Sequence, residues 1–374
     1  MLIKLQSLIG LQPRNISEKN VSSTNLGYYP WIDVLRAACF LSVVVTHAGY
    51  PGWWGAMGVS LFFAISGWLI TEIILRDLSK DNFLIYFYSR RLLRIYPAYI
   101  VALVFYGCLV PLGLQSNSTL TINEFLETLP LFLTFNYDLH PVPGMVFAHT
   151  WSICVEERFY LVWSAICLLC WKLRVRLVWI LAFGIFVVVI APLVTPENYA
   201  SLWHKLPAPL LFGCLLAIVD PNKRVLSSKL RWVVALACLT LLCILGNSGM
   251  ILYGTVPGLL AAIVVWALVG KSALPKVLTP LTTIGKLSYG AYLIHIPFAS
   301  AALRLLKPFG LQIMAPILAA ATTIFAAKLL YQLVESPALD ARKSLNYSSS
   351  FSKFLACFQI GLIPVGILWM LYKY

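Results

Sequence analysis

Three short clusters of ionisable side chains interrupt an otherwise apolar chain. Arg36 and His47 stand eleven residues apart. At about 100° per residue that spacing returns to within roughly 20° of one helix face, with a rise near ~16 Å. One stripe of helix thus carries a guanidinium in one half and an imidazole at the far end. Asp33 can cap that helix or pair with Arg36. An imidazole is suited to take a proton from a hydroxyl near neutral pH. An interfacial histidine with no reaction to perform is the plainer alternative.

The second cluster is YSRRLLRIYP, residues 88–97, which brings Arg90, Arg91 and Arg94 into about one helical turn. Guanidinium forks bind phosphate through paired hydrogen bonds, and a ligand with several phosphates wants several forks. Ordinary anchoring at a cytoplasmic membrane face gives the same pattern. The third cluster is AHTWSICVEERFYLVW, residues 148–163. His149 and Glu156 are seven apart and share a helix face. A carboxylate beside a histidine can orient it and raise its basicity; interfacial solvation of Glu156 and Glu157 is the alternative. His295, in LSYGAYLIHIPF (287–298), is read as a packing histidine. Cys167 and Cys170 form a C-x-x-C with no His or Asp nearby, so they are read as small apolar side chains and no metal site is expected.

The elements that must position these residues are helices in lipid. The chain has 374 residues, 60% hydrophobic and 11% charged, with a mean hydropathy of +0.84. A soluble domain carries roughly 25% charged residues. The net charge of +14 does not indicate nucleic acid. Its basic residues sit in short groups between apolar runs, which is the positive-inside pattern. A span needs about 20 apolar residues. Segments near 31–50, 56–76, 93–112, 150–171, 177–194, 206–219, 232–247, 250–269, 286–306, 312–334 and 354–372 meet or approach that length. The predicted fold class is all-α, a polytopic transmembrane helix bundle of about 10–11 spans. The longest connector, 113–149, contains FLETLPLFLTF, apolar enough to re-enter the membrane or lie on it.

Basic residues orient the bundle. Lys4, Arg14 and Lys19 precede the first span, and every second connector is basic: Arg76 to Arg94, Lys172 to Arg176, Lys223 to Arg231, Lys271 to Lys286, and Arg342 to Lys353. The intervening connectors hold few basic residues, such as Lys205, Arg304 and Lys307. That alternation puts the N-terminus in the cytoplasm and the C-terminus outside. The first apolar run, from Trp31, lacks a small-residue cleavage site and should stay as an anchor. The expected organisation is a cytoplasmic segment 1–30, a transmembrane domain 31–345 and a further C-terminal helix 346–374.

Taken in order, these segments resemble the acyltransferase-3 family of membrane acyltransferases. IDVLRAACFLSVVVTH (32–47) resembles its first-span arginine/histidine motif, and GVSLFFAISGWLIT (58–71) its small-residue second span. FYSRRLLRIYPAY (87–99) resembles the double-arginine element, and HTWSICVEERFY (149–160) the tryptophan–serine and paired-glutamate segment. LSYGAYLIHIPF and VESPALDAR (334–342) resemble the closing motifs. Ser60 stands where the family often has Asp, and Trp68 where Phe is common. The expectation is of a member with no fused extracytoplasmic SGNH domain, whose bundle would complete transfer itself or hand over to a separate protein.

The resemblance implies transfer of an acyl group, most simply acetyl, from cytoplasmic acyl-CoA to a sugar hydroxyl of an envelope glycan such as lipopolysaccharide O-antigen. Arg90, Arg91 and Arg94 would hold the CoA phosphates, and Arg36 a polar part of CoA or the thioester oxyanion. His47 would be the general base or a transient acyl carrier. Glu156 would orient or charge its partner, and His149 would stand with them on the glycan side. The partners implied are acyl-CoA, the lipid-linked or extracytoplasmic glycan and membrane lipids, in a bacterial inner membrane. Homo-oligomerisation is left open. The rival classes are a transporter or flippase, for which no inverted repeat is visible, and a scaffold, which needs neither Arg36 nor His47.

Overall fold

A computed structural model describes residues 28–112, 120–194, 208–219, 228–247, 254–269, 274–347 and 349–373. Most of the expected segment 1–30 lies outside the described residues, as do Lys205, Lys223, Arg224, Lys271 and Tyr374. Among the described residues every regular element is helical and there is no strand. The longer helices are α1 (Pro30–His47), α2 (Trp53–Asp77), α3 (Phe83–Leu109), α4 (Ile122–Leu133), α5 (Trp151–Leu173), α6 (Leu177–Val194) and α7 (Ala208–Val219). They continue with α8 (Ser228–Asn247), α9 (Thr255–Val269), α10 (Thr279–Leu306), α11 (Ala315–Leu330), α12 (Ser336–Lys343) and α13 (Ser350–Lys373).

Each of the eleven apolar segments marked out above is occupied by one of these helices. Among the described residues, six helical stretches are long and apolar enough to cross a membrane: α1, α2, α3, most of α8, the run through α11 and α12, and α13. Helices α6, α7 and α9 supply shorter apolar stretches. Helices α5 (23 residues) and α10 (28 residues) match a bilayer in length and carry Glu156, Glu157 and His295. The protein is thus an all-α, multi-pass membrane protein.

Two of the departures from the expected boundaries bear on the site. Helix α3 starts at Phe83, not near residue 93, so Arg90, Arg91 and Arg94 lie inside it. Its start is set by Asn82, in a left-handed conformation (φ 56°), and nothing in FLIYFYSRR breaks a helix after that. The tenth segment does not end as a plain α-helix. A single π turn, Tyr331–Glu335, joins α11 to α12, and Pro337, without an N–H, follows at the start of α12.

The chain divides into two compact units. Unit 1 comprises the residues up to Thr46, Pro51–Ser79 and Trp163–Lys286. Its core gathers Trp31, Leu35, Leu61, Ile65 and Trp68 with Ala261, Val264 and Leu268. In lipid, helices gain little from hiding apolar surface from one another, so close backbone approach matters more. Gly67 of α2 faces the backbone of Leu210 and Gly213 of α7 faces that of Ala64 so closely that an added Cβ would run into a carbonyl oxygen in either case. The indole N–H of Trp163 donates to the Thr71 hydroxyl at 2.8 Å, so that buried polar groups are not stranded.

Unit 2 comprises His47–Tyr50, Lys80–Val162 and Leu287–Tyr374. Helix α3 is its axis, with α4, α12 and α13 packed on it. Helix α4 has 12 residues, too few to span a bilayer. Thr121 and Glu124 cap it reciprocally, and the Thr121 N–H and hydroxyl hold the exposed Glu124 carboxyl below its usual range. Its buried face, Phe125, Leu131 and Phe132, is tied to α3 by Tyr99, whose hydroxyl donates to the Phe132 carbonyl at 3.1 Å. Asn136, just beyond, donates to the Ile363 carbonyl of α13 at 3.0 Å.

Candidate active site

Unit 2 contains two layers of polar side chains. In the first, α3 presents three arginines. The Nε and Nη2 of Arg91 donate to the buried Glu157 carboxylate at 3.0 and 2.7 Å. The Tyr160 ring covers the Arg91 guanidinium, 3.5 Å from ring centre to Cζ. Gln359 of α13 donates to the other oxygen of Glu157 at 3.0 Å. Arg94 pairs with Glu335, the last residue of the π turn, at 3.1 Å, and lies 5.6 Å from the Tyr289 ring centre. Arg90 donates to the Tyr347 hydroxyl at 3.0 Å, and its guanidinium lies 5.0 Å from the centre of the Tyr86 ring.

Gly290 of α10 makes room for this layer, because a Cβ there would stand 2.6 Å from a Glu335 carboxylate oxygen. The exposure of the side chains ranks the arginines. Arg91 is 14% exposed and Arg94 23%. A guanidinium already paired inside protein has little left to offer a ligand, so Arg91 is the most committed to the fold.

The second layer is histidine. His47, exposed at the end of α1, lies 5.1 Å ring centre to ring centre from the fully buried His295. His149 lies 5.0 Å from His295, its plane turned by 84°. The backbone fixes two tautomers. His149 Nε2–H donates to the Leu293 carbonyl at 3.0 Å and His295 Nδ1–H to the Tyr292 carbonyl at 2.7 Å, because a carbonyl only accepts. Tyr292 in turn donates its hydroxyl to the His149 carbonyl at 2.7 Å and takes one from Ser152 at 2.8 Å. Tyr106 flanks His149 at 5.6 Å.

The two layers are linked along three helices. Arg94 to Tyr106 on α3 spans twelve residues, Glu157 back to His149 eight, and Tyr289 to His295 on α10 six. At 1.5 Å per residue these are separations of about 18, 12 and 9 Å. A cationic layer and an imidazole layer thus stand roughly one to two nanometres apart within one unit.

A family profile described as an acyltransferase domain matches residues 29–331. The chain belongs to this acyltransferase-3 family. It is 29% identical over 362 residues to the peptidoglycan O-acetyltransferase OatA of Listeria monocytogenes, covering 87% of this chain and 58% of that protein. It is 28% identical over 357 residues to the putative peptidoglycan O-acetyltransferase YrhL of Bacillus subtilis, covering 83% and 55%. With the O-acetyltransferase OatA of Staphylococcus aureus the identity is 27%, covering 83% and 57%. The chain therefore spans a little over half the length of these relatives. No solved structure matches it.

In this acyltransferase-3 chain, the residues singled out above fall as follows. His47 and His149 come together, through His295. Arg90, Arg91 and Arg94 share the other layer. Glu156 accepts from Tyr160 at 3.1 Å, in the arginine layer and not beside His149. The two were placed on one face by α-helical spacing, but His149 lies in a short 3-10 turn, Ala148–Thr150, ahead of α5, which has a tighter period. Arg36 is half-buried on α1 and is assigned to unit 1.

Glu335, Tyr289 and Tyr292 are residues that the reading of spacing passed over; Glu157 was noted only as the neighbour of Glu156, and His295 was read as packing. The signal available for Tyr292 and His295 was their i, i+3 spacing within LSYGAYLIHIPF, which stacks them on one helix face.

Proposed function

We propose that this chain is a membrane O-acetyltransferase that moves an acetyl group from acyl-CoA to a sugar hydroxyl of a cell-envelope glycan. The observation that carries the reading is the contact of an exposed His47 with the buried His295, in a unit whose opposite layer is arginine. Family membership supports acyl transfer. The names of the relatives make peptidoglycan the first acceptor to try; lipopolysaccharide O-antigen is the second, from the reading of the sequence. The donor would lay its phosphates against Arg90 and Arg94, with Arg91 holding the layer together through Glu157. The thioester would then reach towards the histidines across the roughly one to two nanometres between the layers.

His47 is assigned as general base, or as a carrier that takes the acyl group first. In direct transfer the hydroxyl O–H bond breaks and its proton passes to His47. The oxygen bonds to the acyl carbon, the C–S bond breaks, and the CoA thiolate takes up a proton. Arg36 is assigned to a polar part of CoA or to the thioester oxygen, and His149 and Glu156 to support. The enzyme would sit in a bacterial inner membrane with its N-terminus cytoplasmic and its C-terminus extracytoplasmic. Purified protein in lipid, given acetyl-CoA and peptidoglycan fragments or O-antigen, should release CoA and form base-labile sugar esters. CoA release without ester, or neither, removes the assignment.

A further inference from the structure

His295 is fully buried, and its Nδ1–H is committed to the Tyr292 carbonyl at 2.7 Å. The neutral ring therefore carries its lone pair on Nε2, an atom that is buried and has no hydrogen-bond partner among the described residues. A buried acceptor left unmatched is costly, and natural proteins keep such groups mainly where they work. The neighbours able to satisfy it can be sorted by what each has to give. His149 has a single N–H when neutral, and it goes to the Leu293 carbonyl. The Tyr292 hydroxyl goes to the His149 carbonyl. Of the rings in contact with His295, His47 is the one whose N–H is not assigned to another atom by these bonds. Its ring centre is 5.1 Å away and tilted by 58°, a separation that a side-chain rotation converts into an N–H···N bond.

We infer that His295 is a positioning residue for His47: its Nε2 accepts the N–H of His47 and so leaves the other nitrogen of that ring as the lone pair offered to the reacting hydroxyl. The inference rests on the acetyl-transfer reading for its purpose, though not for its geometry. A base must present a lone pair in a fixed direction, and the partner that holds its N–H decides which nitrogen that is. Carboxylates commonly do this. Here a second imidazole does it, itself locked by a backbone carbonyl, and it brings no charge into the membrane interior, where a carboxylate would be costly.

The chain has five histidines, so selective 15N-histidine labelling gives few resonances, and those of His47 and His295 are assignable by substituting each in turn. In wild-type protein in lipid, His47 should occupy one tautomer and His295 Nε2 should resonate as a hydrogen-bonded acceptor. A bare Nε2 together with mixed His47 tautomers overturns the inference, with no variant needed. His295→Gln places an amide oxygen near the former Nε2, so it should keep the single His47 tautomer and most of kcat. His295→Phe should scramble the tautomer and lower kcat on the order of 100-fold, with KM for acetyl-CoA unchanged. A folded His295→Phe with an unaltered His47 tautomer also overturns it. If wild type forms no sugar ester, the acetyl-transfer reading fails, while the nitrogen resonances still decide the bond.

Discussion

Arg91 grips Glu157 with two nitrogens, at 3.0 and 2.7 Å, where both side chains are almost wholly enclosed by unit 2. Removing one member leaves the other as an uncompensated buried charge. Arg91→Ala should therefore cost about 3–5 kcal/mol of stability, whereas Arg91→Met with Glu157→Gln, which removes both charges, should cost far less. Thermal unfolding of the purified variants in one detergent checks this. Equal midpoints for the single and double variants would mean that the pair is not coupled.

Arg90 and Arg94 should behave differently. Arg94 is more accessible than Arg91, and Arg90 bonds a neutral hydroxyl and not a carboxylate; each lost guanidinium–phosphate contact should weaken acyl-CoA binding by about 1.5–3 kcal/mol, one to two decades in Kd. Arg94→Lys keeps the charge but loses the fork, and should fall between wild type and Arg94→Gln. Calorimetric titration of CoA into monodisperse protein measures it. Wild-type affinity in both glutamine variants would return these residues to membrane anchoring.

His47→Ala should still fold, because the residue is exposed at the end of α1, with a thermal midpoint lowered by no more than the lost bond to His295 Nε2, about 1–3 kcal/mol. It should lower sugar acetylation by about 10²–10⁴-fold. A base must be neutral to act, so the wild-type rate should fall as acidification protonates the imidazole. Acetyl transfer at a near wild-type rate by the alanine variant would move the search for the base to His149.

Gly290→Ala tests the packing beneath Arg94. The new Cβ would stand 2.6 Å from a Glu335 oxygen, so Glu335 or α10 must shift, at about 1–3 kcal/mol. Because Glu335 holds Arg94, CoA affinity should fall together with stability. A stable variant with unchanged Kd would show that the carboxylate has room to turn aside.

Membrane orientation is open to a direct test. A reporter joined after Tyr374 should be active only in its extracytoplasmic form, and one placed in the basic connector before α3 only in its cytoplasmic form. The reverse pair of results would invert the assignment of the arginine and histidine layers to the two faces.

The helices were legible because lipid imposes a simple rule on length and hydropathy, and all eleven apolar segments became helices. The arginine group and His47 were legible because a charge in an apolar run stands out. Partners across helices were not. Glu156 and Glu157 are indistinguishable by composition, and only the approach of α3 shows that Glu157 meets Arg91. His295 looked like packing because one histidine on an apolar helix face usually is. Its company, His47 and His149, comes from segments roughly 250 and 150 residues earlier, a proximity that no local period reveals.

The π turn at Tyr331–Glu335 has a consequence for how this chain tolerates change. One extra residue in a helical turn rotates everything beyond it by about 100°. Glu335 ends the turn and faces Arg94, so the turn acts as a dial whose setting aims one carboxylate. Deleting a single residue between 331 and 334 would leave composition, charge and hydropathy almost untouched. Yet it would swing Glu335 off Arg94 and carry Arg342 around with it. At this joint the spelling of the chain matters less than its count.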